Sequence, residues 1–131
     1  MIRLLGAAFT TAADGDQLDD VHRAAVSARL GISADWALAM QVHGASAAIA
    51  TSPGPAGAVD GLVTTEPDLP IAVRTADCAG VVLHGHGSVG VAHAGWRGAA
   101  AGIVPAVVEE MAVLGAPPLR GVIGPHIGPC C

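Results

Sequence analysis

A chain of 131 residues, 52% hydrophobic and only 13% charged, is long enough to bury a sizeable core as one domain and too apolar to be disordered. Six Lys and Arg against eleven Asp and Glu leave a formal net charge of −5, which argues against nucleic acid or an anionic membrane as a partner, because phosphate binding needs clustered basic groups. With no Tyr, one Phe and two Trp, the core must be built from Val, Ile, Leu and Ala.

Three cysteines, two of them adjacent at Cys130 and Cys131, imply no disulfide framework. They point to a reducing, cytoplasmic setting in which Cys78 is a free thiol or a ligand. "MIRLLGAAF" runs into polar "TTAADGDQLDD" without a signal core, and no apolar run approaches the ~20 residues of a membrane helix.

In chain order, "IRLLGAAF" (2–9) is predicted as a buried strand. Asp16 offers a helix cap, with Asp19 and Asp20 in the first turn. Leu18, Val21, Ala25, Val26 and Leu30 recur at helical spacing up to a Gly31 stop. "WALAMQV" (36–42) and "SAAIA" (46–50) are strand-like, and "TSPGPAG" (51–57) is a loop. "AVDGLVT", "IAVRTA", "GVVLH" and "SVGVAHA" follow as short β runs.

The G-x-G-x-x-G of "GHGSVG" (85–90) joins two strands rather than a strand and a helix. It is therefore a hairpin turn with His84 and His86 on exposed shoulders, not a dinucleotide fingerprint. "AAAGIVPAVVEEMAVLG" (99–115) is predicted as a helix in which Pro105 either makes a kink or sets the true first turn near Ile103. "RGVIG" (120–124) is a final strand. Strands mixed with two helices, several joined by hairpin-length turns, predict an α+β fold of layered mixed β-sheets flanked by helices, in a single domain over 1–131.

Polar chemistry is concentrated at 75–98, "TADCAGVVLHGHGSVGVAHAGWRG". His43, Cys78 and His93 each fall at the end of a predicted strand, and three strand ends can converge on one sheet edge. Two imidazoles and a thiolate leave a fourth tetrahedral position open, the pattern of a catalytic zinc site. His84, His86 and His126 compete as ligands. The alternatives are histidines satisfied in the core and Cys78 as a small buried hydrophobe. Another makes Cys78 a nucleophile with His93 as its base. In "HAGWRGAAAG" a strand, a turn through Gly95 and a helix start through Gly98 place backbone N–H groups and Arg97 beside His93. That arrangement suits phosphate or another anion; a surface ion pair for Arg97 and simple packing for Trp96 are the alternatives.

"QVHG" (41–44), "TADC" (75–78), "HAGWRG" (93–98) and "GPHIGPCC" (124–131), in that order, resemble the laccase-domain (YfiH-like) family across residues 36–131. The resemblance implies that His43, Cys78 and His93 bind zinc, or copper as the alternative. It implies phosphorolysis of adenosine, inosine and methylthioadenosine, with adenosine deamination as a further activity, on layered mixed sheets related to a group of cysteine hydrolases. In that scheme Cys78 and His93 are catalytic, Arg97 holds phosphate, and Asp77 supports the ligands or carries a proton, although strand alternation points it away from Cys78.

Two departures accompany the likeness. The "SLN" element that family members carry after "FTT" is absent from "FTTAADGDQLDD", and the chain stops at "GPCC" where they continue. The expectation is the N-terminal part of a longer fold, self-associating or joined by a separate C-terminal part. His126 stands where small residues are common in relatives. The competing functions are a copper-dependent polyphenol oxidase, for which six scattered histidines are few, a cysteine hydrolase using Cys78, and an inactive metal- or partner-binding remnant.

Overall fold

The computed structural model describes residues 1–129; Cys130 and Cys131, the end of the last motif, lie outside the described residues. Its frame is a five-stranded sheet in the order β10-β8-β9-β6-β4. β8 (Ala79–Gly85) and β9 (Ser88–Ala94) form its central hairpin, in unbroken register from Ala79↔Ala94 to Gly85↔Ser88. β10 (Pro118–Ile123) adds antiparallel to β8, and β6 (Gly61–Thr64) antiparallel to β9. β4 (Ala47–Ile49) joins β6 in parallel, so the sheet is mixed, as expected.

Both faces of this sheet are covered. On one, α3 (Ile103–Val113) presents Ile103, Val107 and Met111, all fully buried and four residues apart, to Val63, Val81, Leu83 and Ala92. Gly61 and Gly90 allow the helix this close: a Cβ on either would stand 2.5 or 2.7 Å from a Val107 methyl. On the other face Leu62 and Val91 pack against Ala37, Ala39 and Ala50. There a three-stranded parallel sheet lies, ordered β5 (Gly54–Pro55), β3 (Ala37–Leu38), β7 (Ile71–Ala72). Successive residues of β6 and β9 face opposite sides and both are buried, which is why these strands read as continuous apolar runs. The result is the α+β layering of helix, mixed sheet and second sheet.

Several local expectations are corrected. Residues 2–9 form two strands, β1 (Ile2–Leu4) and β2 (Ala7–Phe9), with β1 exposed. Leu5 and Gly6 both adopt positive φ, at 50° and 84°, the backbone of a two-residue hairpin turn. Helix α1 (Asp20–Leu30) is capped by Asp19, whose carboxylate accepts from the Val21 and His22 N–H groups; Asp16 instead closes a turn onto the Leu18 N–H. Leu18, Val21 and Ala25 are exposed and only Val26 of that apolar series is fully buried, because α1 lies at the margin of the sheets.

The run 36–42 contributes only the two residues of β3, and the loop 51–57 contains β5. After Gly95 there are two helices, α2 (Trp96–Ala101) and α3, broken at Gly102 with φ 96°. Pro105 therefore sits in the first turn of α3, where its missing N–H costs nothing. His84 is half-buried rather than exposed, because the β1–β2 hairpin lies over it: a Cβ on Gly6 would be 3.2 Å from its ring. No helix among the described residues is long and apolar enough to cross a membrane.

Candidate metal centre

The centre is assembled on Asp60, the residue just before β6. Asp60 is fully buried, and the neighbouring strand β9 brings His93, 3% exposed, alongside it. The Asp60 carbonyl accepts the His93 backbone N–H at 2.7 Å, and its carboxylate Oδ1 lies 2.8 Å from His93 Nδ1. The same carboxylate accepts three successive backbone N–H groups of the "QVHG" turn: Val42 at 3.1 Å, His43 at 3.0 Å and Gly44 at 2.7 Å. Held in this way, His43 adopts a left-handed backbone with φ 60°.

Burial alone would push the Asp60 carboxyl up. The hydrogen bonds from His93 and from the Gly44, Val42 and His43 amides outweigh it and hold the group below the usual carboxylate range. An ionised carboxylate only accepts, so His93 carries its proton on Nδ1 and turns the lone pair of Nε2 away from Asp60.

The second link joins the turn at 41–44 to the turn at 74–78. The Gln41 side-chain amide donates to the Arg74 carbonyl and accepts the Arg74 N–H, both at 2.7 Å. Cys78, half-buried and free, stands directly before β8. The ligand atoms of His43, Cys78 and His93 all lie within 4.8 Å of one another, and the two imidazoles meet edge to face with centroids 4.8 Å apart. None of the three ends the strand expected to carry it: β7 (Ile71–Ala72) stops six residues short of Cys78, which instead precedes β8. His93 lies inside β9, and His43 lies in the turn that follows β3.

Two glycines close the back of the cluster. A Cβ on Gly95 would be 3.1 Å from Cys78 Sγ and 3.5 Å from the His43 ring, and one on Gly98 would be 2.7 Å from the Gly44 carbonyl oxygen. Close packing accounts for glycine at both places.

The donor set fits a metal ion. Two imidazoles and a thiolate are borderline-soft ligands, and tetrahedral coordination separates such donors by ~3.5 Å, so side-chain movements of ~1 Å close the group. Asp60 behind His93 is the carboxylate–histidine pairing that orients ligands in metalloproteins. His43, Cys78 and His93 are the one such group among the described residues; His84, His86 and His126 stand outside it. A groove of about 2130 Å³ reaches the cluster, and its wall includes Gln41, Arg74 and Asp77 as well as the three donors. Asp77 is exposed, and its carbonyl takes the Ile127 N–H at 2.9 Å. Arg97, Gly95 and Gly98 stand outside that wall, and the exposed Arg97 guanidinium stacks 5.1 Å over the Trp96 ring.

Sequence reasoning missed Asp60 and left Gln41 without a role. A lone acid inside the apolar "AVDGLVT" was the one available signal, because a buried charge needs partners.

Residues 8–131 match the family described as multi-copper polyphenol oxidoreductase laccase. The chain belongs to this laccase family. A protein named purine nucleoside phosphorylase from Deinococcus radiodurans is 39% identical over 142 residues, covering 92% of this chain and 56% of that protein. One named adenosine deaminase RL5, from an unknown prokaryotic organism, is 36% identical over 137 residues, covering 99% and 50%. The crystal structure of YfiH from Bacillus licheniformis superposes with a TM-score of 0.75 at 33% identity, over 86% of this chain and 48% of that one. The chain thus spans about half the length of these laccase-family relatives.

Proposed function

We propose that this chain carries the metal-binding portion of a zinc-dependent purine nucleoside phosphorylase acting on adenosine, inosine or methylthioadenosine. One observation carries the proposal: two imidazoles and a thiol from three separate segments meet within 4.8 Å, beside a groove. The name of the Deinococcus relative supports the substrate class. Zinc held by His43, Cys78 and His93 would supply Lewis-acid stabilisation of developing negative charge. Copper is the alternative ion, favoured by the description of the family.

Phosphorolysis exchanges the C1′–N9 bond of the nucleoside for a C1′–O bond to phosphate, and the departing base takes up one proton. Asp77, on the groove wall, is the proposed proton carrier. Arg97 is the proposed phosphate contact, with the Gly95–Gly98 turn beside it. Arg74 is its rival, because its backbone is anchored by Gln41 and it lines the groove itself. Completion of the groove by a second copy, or by the part that longer relatives carry, belongs to the same proposal.

The test is release of adenine from adenosine. It is expected only with phosphate present, and is expected to disappear in His43→Ala, Cys78→Ala and His93→Ala. Release without phosphate rejects any phosphate contact, and activity that survives a chelator together with alkylation-sensitive Cys78 indicates a cysteine hydrolase instead. The relative named adenosine deaminase favours one second reading, deamination at the same centre, which ammonia release from adenosine without added phosphate would report.

A further inference from the structure

We propose that Asp60 is the positioning residue of this centre: one buried carboxylate selects which nitrogen of His93 faces the other donors and holds His43 in the backbone conformation that meets them. The inference rests on the assignment of His43, Cys78 and His93 as ligands and is independent of the nucleoside chemistry.

Asp60 divides its work between its two oxygens. Oδ1 takes His93 Nδ1 and the His43 N–H; Oδ2 takes the Val42 and Gly44 N–H groups. A carboxylate has about four lone-pair sites, and four N–H groups occupy them. Both halves of the cluster depend on this pattern. His93 belongs to the rigid centre of the sheet, whereas His43 belongs to a turn whose left-handed backbone needs external support. Asp60 bonds to both, so the position of one donor is referred to the other through a single side chain.

The substitution Asp60→Asn shows why charge and not shape matters. Whichever oxygen becomes the amide nitrogen, it meets two N–H donors and offers them no lone pair. If the nitrogen faces His93, the imidazole must move its proton to Nε2, the atom otherwise free for the metal. If the nitrogen faces Val42 and Gly44, the turn that carries His43 loses its support.

Nitrogen NMR of the imidazoles in the metal-free chain, in alkaline buffer, reads the His93 tautomer directly. The expected result is Nδ1–H for His93 in the wild-type chain and a shift toward Nε2–H in Asp60→Asn, with zinc affinity about 10- to 100-fold lower in that variant. A residue that merely supports the fold would leave both the tautomer and the zinc affinity of the folded variant unmoved. Wild-type His93 carrying its proton on Nε2 overturns the proposal, and so does an Asp60→Asn variant with unaltered tautomer and zinc affinity. If Asp60→Asn does not fold, the wild-type tautomer alone decides. A wild-type chain that binds no zinc rejects the ligand assignment, while its His93 spectrum still tests the role of Asp60.

Discussion

Gln41 and Arg74 exchange a reciprocal pair of hydrogen bonds, side chain to main chain, each 2.7 Å long. The pattern is that of one rung of a β-ladder, with a side-chain amide in place of one strand. It joins the turn that carries His43 to the turn that leads into Cys78. Gln41→Ala is expected to cost about 1–2 kcal/mol, since the bonds are exposed and water replaces them in part. The larger effect is expected on zinc affinity, because two donors lose their common tether. Calorimetric zinc titration beside thermal unfolding separates the two; equal zinc affinity in the variant would show that the tether is dispensable.

Gly98→Ala is expected to damage the site without touching a ligand. The new methyl would stand 2.7 Å from the Gly44 carbonyl oxygen, a backbone atom that cannot swing aside, so either α2 or the turn at 41–44 must shift. Overpacking of this kind costs about 1–3 kcal/mol. Gly102→Ala, which meets no atom within 4 Å but keeps a φ of 96°, is the control for backbone strain alone. Zinc affinity should fall in Gly98→Ala and hold in Gly102→Ala.

Met111→Ala addresses stability alone. Met111 is fully buried between α3 and the sheet, in the same cluster as Val107 and Ile103. Its truncation is expected to cost about 2–5 kcal/mol. Zinc stoichiometry measured well below the lowered melting temperature should stay at the wild-type value, since no donor lies in that cluster.

His84 gives the fold a defined acid response. Burial, and then the positive charge of Arg120 on the neighbouring strand, hold the imidazole below its ordinary value near 6.5, and its Nε2 has no hydrogen-bond partner among the described residues. A base with a lowered folded pKa resists protonation in the native state. The stability linked to it is complete above the unfolded value and is lost as pH falls through the folded one. Melting temperatures should therefore drop below about pH 6.5, and His84→Leu should remove that part of the slope. An identical slope in His84→Leu would assign the acid response elsewhere.

Local repetition made part of this protein readable. The β8–β9 hairpin follows from two short apolar runs on either side of a glycine turn, and α3 from a helix-forming run that ends at Gly115. One other feature escaped because its cause is not local. β3, β5 and β7 are each two residues long and exist through their parallel pairing, for which no short window carries a signal. The helix start at Ile103 was legible as one of the two options that Pro105 left open, and the left-handed backbone at Gly102 is what breaks α2 from α3 there.

The order of residue types along the chain determined which donors are available: one thiol and two imidazoles in motifs that mark a family. Only the folded chain decided how they face one another. Asp60 could be seen in the sequence as an isolated acid, but its four partners are brought to it by the pairing of β6 with β9 and by the return of the 41–44 turn. Hydrogen bonds act over about 3 Å in space, whatever the separation along the chain, and periodicity reports only on near neighbours.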